Sequence, residues 1–313
     1  MVALTFALAH STPAVAQGGA FLLAPFGARS VGRGESVAAD TALGTEGVWF
    51  NSAALARMGS REFAFHHGTS VLGSTFMLSG AIPSRALGTL GASAYRYQID
   101  AQESTDELGN PIGVLIFNNS IYAASYASAI GKRFSLGITY KFISSRQQCS
   151  GLCPRFTPIQ GSSSALDVGA QYILTTPFPI SIGVSARNFG QKLQFKDRAQ
   201  ADALPRVIQV GLITRIPIRN LNEAGATLDV SADVSQVSYP NASFAAVGGA
   251  LNYRDQVFLR AGYKQISGEG GGPSIGFGLQ RGAFGLDLSR RFDDFSAAVG
   301  AASPTYVALR ARF

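Results

Sequence analysis

The chain has 313 residues, of which 14% are charged and 46% hydrophobic, with a net charge of +7. Soluble domains carry roughly 25% charge, so a soluble chain of this composition would lack polar cover, and its hydrophobicity excludes disorder. The longest apolar runs, residues 2–9 and 20–28, fall short of the ~18 residues a membrane helix needs, which leaves a closed β-barrel, crossing in ~9–11 residues per strand, as the open membrane architecture.

Residues 2–9 form a short apolar core, and Ala14-Val15-Ala16 is a small-x-small cleavage pattern. Residues 1–16 therefore read as an export signal, although its basic start is missing; the plainer alternative is a buried N-terminal strand or helix. Residues 17–60 show no alternation. Between Phe21 and Met58, Gly27, Gly32, Gly34, Gly44 and Gly47 punctuate the backbone around Arg29, Ser30, Asp40, Trp49 and Asn51. Small residues let backbones pack closely, and Asp or Asn can cap local turns. This segment reads either as an N-terminal strand and loop or as a compact plug inside or beneath a barrel.

From residue 61 to 313 the hydropathy alternates with period two. Phe134, Leu136, Ile138, Tyr140 and Phe142 share one face, opposite Arg133, Ser135, Thr139 and Lys141. Leu228, Val230, Ala232 and Val234 alternate with Asp229, Ser231, Asp233 and Ser235 in the same way. Turn residues divide the region into about 14 strands, near 61–68, 73–82, 87–98, 117–130, 132–145, 162–174, 178–189, 205–216, 225–237, 243–253, 255–267, 273–281, 283–291 and 303–313, an even number as bacterial barrels require. The connections 99–116, 146–161, 190–204 and 292–302 read as long loops, and 69–72, 131, 254 and 282 as tight turns on the opposite rim. The fold class is thus all-β, a transmembrane antiparallel up-and-down barrel with an N-terminal plug. A soluble sandwich or propeller also alternates, but strands of ten or more residues exceed the ~5–6 usual in globular sheets.

Two features stand out in the expected loops. Ile112, Val114, Leu115, Ile116 and Phe117 form an oily run of candidate contacts. Cys149 and Cys153 have no histidine near in sequence to complete a zinc site, so in an oxidising compartment a small disulfide is expected, with a modest effect on stability. No metal site or cofactor is expected. His66 and His67, adjacent on a strand, point to opposite faces and cannot act as a catalytic pair. The 26 Lys and Arg form no basic run, so nucleic acid is not an expected partner.

The segment carrying Gly27, Ala28, Arg29, Ser30, Gly32, Gly34, Ala38, Asp40 and Ala42, followed by Trp49, Asn51, Ala53 and Leu55, resembles the PorV/PorQ family of outer-membrane proteins, relatives of the FadL-type hydrophobic-compound transporters. Ala186-Arg187-Asn188-Phe189-Gly190 and Leu204-Pro205-Arg206 fit the same resemblance. The chain departs from that pattern at Glu35, where glycine is common, and at Ser52, where proline is usual. The resemblance implies a barrel in the bacterial outer membrane, in contact with its lipid. It also implies a role in type IX secretion, with the translocon and cargo C-terminal domains as partners. The alternative is a FadL-like transporter of hydrophobic small molecules; no enzymatic activity is expected. The terminal Phe313 matches the signal read by the barrel-assembly machinery.

Overall fold

The computed structural model describes residues 19–71, 73–153, 158–176, 178–195, 201–218, 225–239, 241–268 and 270–313. The expected export signal lies outside them. Fourteen antiparallel strands close into a barrel. They are β1 (Glu62–Ser70), β2 (Gly73–Ser84), β3 (Gly88–Thr105), β4 (Pro111–Ile130), β5 (Phe134–Gly151), β6 (Ile159–Leu174) and β7 (Ile180–Gly190), then β8 (Val207–Pro217), β9 (Ala226–Ser238), β10 (Asn241–Tyr253), β11 (Val257–Ile266), β12 (Gly270–Arg281), β13 (Phe284–Arg291) and β14 (Thr305–Arg312). Each pairs with its neighbours in sequence. β1 closes on β14, Glu62 lying opposite Arg312, so no strand edge is left unpaired.

The alternation sets the two faces. Met77 is 2% exposed toward the lumen, while its neighbour Leu78 is 62% exposed on the outer wall. Ile138, Tyr140 and Phe142 face outward, and Ser135, Thr139 and Lys141 are buried inside. His66 is luminal, and His67 faces outward, its ring 4.6 Å from that of Phe76.

Three strands run longer than the pattern suggests: β3 has 18 residues, β4 has 20 and β5 has 18. The supposed loop 99–116 is mostly ladder, with Gln102 opposite Leu115 and Glu103 opposite Val114 beyond a bulge after Ile99. Polar residues there resemble loop only because both faces of a strand meet water once it leaves the lipid. Ile112, Val114, Leu115, Ile116 and Phe117 are therefore strand residues of β4. Leu115 and Phe117 share the luminal face of Asn119, while Ile112, Val114 and Ile116 share the outer face of Tyr122.

The strand ends Thr105 and Pro111, Gly151 and Ile159, Gly190 and Val207, and Arg291 and Thr305 lie on one rim, where the last pair is joined through the short helix α3 (Asp294–Ala298). The short turns 85–87, 131–133, 254–256 and 282–283 lie on the other, with both ends of the barrel sequence. Long loops mark the extracellular rim. Ser70 and Gly73, the facing ends of β1 and β2, also lie on that rim, against expectation.

Candidate functional site

Residues 19–58 fill the lumen as a chain of short helical turns: Ala20–Leu23, α1 (Ala28–Val31), Gly44–Glu46, α2 (Gly47–Phe50) and Ser52–Arg57. Turns this short are not stable alone, and here buried polar bonds hold them. The Glu46 carboxylate accepts from the backbone N–H of Ser30 at 3.0 Å and of Arg29 at 3.3 Å, and from the Ser30 hydroxyl. Gly27 has φ 77°, and a Cβ there would lie 2.6 Å from the Glu46 carboxylate, so only glycine fits both the backbone and the space. Arg29 donates to the carbonyls of Leu43, at 3.0 Å, and Ala42. Asp40 pairs with Arg33 and accepts from Ala42 N–H at 2.8 Å. Burial pushes the Asp40 carboxyl upward, but Arg33 and Arg29 outweigh it and hold it below its ordinary value. Asn51 caps the last turn through Ala53 N–H at 3.1 Å and donates to the Ala38 carbonyl at 2.7 Å. The motif residues thus meet one another within the plug.

The barrel wall holds the plug as firmly. Asp233 on β9 accepts from Val37 N–H at 2.9 Å, Ala38 N–H at 2.8 Å, the Ser36 hydroxyl at 3.2 Å and Gln209 at 2.7 Å. Asp229 instead forms an ion pair, accepting from Arg215 at 2.7 Å. On β1, Glu62 accepts from Thr45 N–H at 2.9 Å and pairs with Arg312 at 2.7 Å. Luminal glycines bring backbone to backbone: a Cβ at Gly183 would overlap the Ala38 carbonyl, and one at Gly262 would overlap the Arg33–Gly34 peptide.

Above the plug lies a cavity of about 260 Å³. Its walls come from the extracellular ends of β7, β8, β10, β11 and β13, through Arg187, Val207, Ala242, Phe244, Lys264, Ile266 and Arg291. Its floor is an aromatic cluster. The Phe26 ring centre lies 5.3 Å from Trp49, 5.1 Å from Phe50 and 5.9 Å from Tyr95, and Trp49 and Tyr95 are 5.1 Å apart. Glu35 enters from the plug and meets Lys264 at 2.6 Å and Arg291 at 3.6 Å. Glu35 has φ 63°, the left-handed conformation that favours glycine; here the ion pairs offset the strain of a side chain. Lys141 pairs with Asp167 at 2.6 Å and lies 4.9 Å from the centre of the Trp49 ring. Arg187 donates to the Trp49 carbonyl and to Gln209, both at 3.0 Å.

Of the residues singled out in the sequence, Glu35, Trp49 and Arg187 line this cavity. Cys149 and Cys153 are joined in a disulfide at the tip of β5, with Cα atoms 6.3 Å apart. Phe313 lies at the other rim, its backbone bonded to Arg61 and its side chain 70% exposed. Phe26, Phe50, Lys141 and Lys264 join the site without a local motif; their signal is an aromatic or charge at a luminal strand position or within the non-alternating segment.

Comparison with solved structures places this architecture. The toluene transporter TbuX of Ralstonia pickettii superposes with a TM-score of 0.67 at 15% identity, over 94% of this chain and 100% of that one. The fold is that of the FadL-like outer-membrane barrels. The toluene transporter TodX of Pseudomonas putida gives a TM-score of 0.58 at 12% identity, over 90% and 95% of the two chains. A FadL homologue of Pseudomonas aeruginosa gives 0.57 at 12% identity, over 93% and 98%. No protein-family model and no curated protein sequence matches the chain, so the PorV/PorQ resemblance finds no support there. A FadL-like barrel of this kind belongs in the bacterial outer membrane, with its outer wall in lipid.

Proposed function

We propose that this chain is a channel that admits hydrophobic small molecules through the outer membrane. The observation that carries the reading is the cavity at the extracellular end of the lumen, floored by Phe26, Trp49, Phe50 and Tyr95. At about 260 Å³ it exceeds the ~150 Å³ cavity that accepts benzene elsewhere, so it suits a compound of one or two rings or a short alkyl chain. Burying about 150 Å² of apolar surface at ~25 cal/mol per Å² gives roughly 4 kcal/mol, enough for millimolar capture and weak enough for release. Lys141, Arg187, Lys264 and Arg291 beside Glu35 can in addition hold a polar end group.

The secretion reading rests on sequence resemblance alone, chiefly that of the N-terminal motif. Those residues are engaged within the plug or in the cavity floor, which supports a plugged barrel and adds nothing toward binding cargo domains. Trp49 is the only tryptophan of the chain, so its fluorescence reports on the cavity. Titration with toluene should give a saturable change that Ala246→Phe, which fills the cavity from β10 where Ala246 lines it, removes. A response that never saturates, or that survives Ala246→Phe, would refute this site.

A further inference from the structure

The outer wall is apolar across the lipid band, but two arginines face outward just beyond it. Arg96 on β3 donates to the Asn118 side-chain oxygen on β4 at 2.7 Å, and Asn118 stands opposite Arg146 on β5, which donates to Gln160 on β6 at 3.3 Å. Ser120, Ser144 and Gln148 complete this polar rung. It borders an open groove of about 580 Å³ on the outer wall, whose apolar end is Phe65, Phe76, Leu78, Tyr122 and Phe142. Among the described residues neither arginine has a carboxylate partner, and Asp100 and Glu103 farther along β3 pair with neither.

Height fixes what this rung meets. Along β5, Phe142, Ser144 and Arg146 are successive outward residues toward the extracellular tip. At ~3.4 Å per residue and a strand tilt near 40°, Arg146 stands about 10 Å above the Phe142 ring, at the level of lipid headgroups when aromatic residues mark the interface. A guanidinium binds phosphate oxygens through paired N–H donors, and such charge-assisted bonds are the strong ones.

We propose that Arg96, Asn118 and Arg146 form a binding site for a phosphorylated lipid of the outer leaflet, its phosphate held by the two arginines and its acyl chains lying on Phe76, Tyr122 and Phe142. The site is separate from the luminal cavity and stands or falls independently of the transport reading.

The test is native mass spectrometry of the full chain released from phosphatidylcholine vesicles containing bisphosphorylated lipid A, from vesicles containing its dephosphorylated form, and from plain vesicles with inorganic phosphate. The phosphorylated lipid should remain bound. The double variant Arg96→Gln/Arg146→Gln, its fold checked by heat-modifiable gel mobility, should retain it at least about tenfold less well, and Arg96→Lys/Arg146→Lys should fall between. Equal retention of the dephosphorylated lipid would overturn the proposal, as would undiminished retention by the double glutamine variant. Equal occupancy by inorganic phosphate alone would overturn it too. Should the variant fail to fold, the wild-type preference between the two lipid forms decides.

Discussion

Asp233 is the barrel residue on which the plug hangs, and its loss has a calculable effect. Asp233→Ala strips the acceptor from Val37 N–H, Ala38 N–H and the Ser36 hydroxyl, all buried. Each backbone donor that loses a charged partner and stays buried costs about 1.5–3 kcal/mol, so two give about 3–6 kcal/mol against the docked plug. Water entering the vacated space brings the loss toward the lower figure. The barrel ladders do not use this carboxylate, so the strands should remain assembled. Hydrogen exchange of the amides at 36–40 should accelerate at least about a hundredfold, since each 1.4 kcal/mol is a factor of ten, and conductance in planar bilayers should rise as the plug loosens. Asp233→Asn, which keeps one acceptor oxygen, should give a smaller change. Unaltered exchange at Val37 and Ala38 in the alanine variant would refute the reasoning.

A bulkier residue on the wall tests the same fit from the other side: Gly262→Leu should displace the Arg33–Gly34 backbone that it overlaps, raising plug exchange while the assembled barrel persists, and normal exchange would show that the close approach is not required. Burial raises the Glu35 carboxyl, but Lys264 and Arg291 prevail and hold it below its ordinary 4.5. A lowered acid contributes its stability above the unfolded value and loses it as pH falls through the folded one. The protection of plug amides near Glu35, corrected for the intrinsic pH dependence of exchange, should therefore be flat from neutral pH down to 4.5 and fall only in stronger acid; a fall centred near pH 7 would contradict this. Deleting Phe313, whose exposed side chain packs against little, should lower the yield of heat-modifiable barrel without changing the unfolding of the barrels that do form. An unchanged yield would remove the proposed recognition by the assembly machinery.

The strands were legible because a barrel in lipid needs a strict two-residue period, and most expected ranges match within a few residues. The exceptions, at the tips of β3, β4 and β5, occur where water on both faces removes the contrast that marks a strand. Gly137, Gly183 and Gly262 could be read only as small residues on a polar face. Their use, close approach to the plug, depends on which backbone lies opposite, and that follows from closure of the barrel, not from local sequence. Asp233 likewise reads in sequence only as a polar residue alternating with apolar ones, whereas it accepts backbone N–H groups roughly 195 residues away in sequence. Glycine therefore serves the luminal wall as well as turns and plug. The cavity was the least legible part, because Phe26, Glu35, Tyr95, Lys141 and Lys264 come from distant segments and meet only when the plug is seated.

The most direct test of a hydrophobic channel is uptake of labelled toluene by cells whose outer membrane carries this chain as its sole channel of the kind, beside cells with an empty vector and cells expressing Ala246→Phe at equal barrel yield. The expected result is fast uptake with the native chain, slowed toward the empty-vector rate when the cavity is filled. Uptake with the native chain that matches the empty vector would contradict a channel for hydrophobic small molecules.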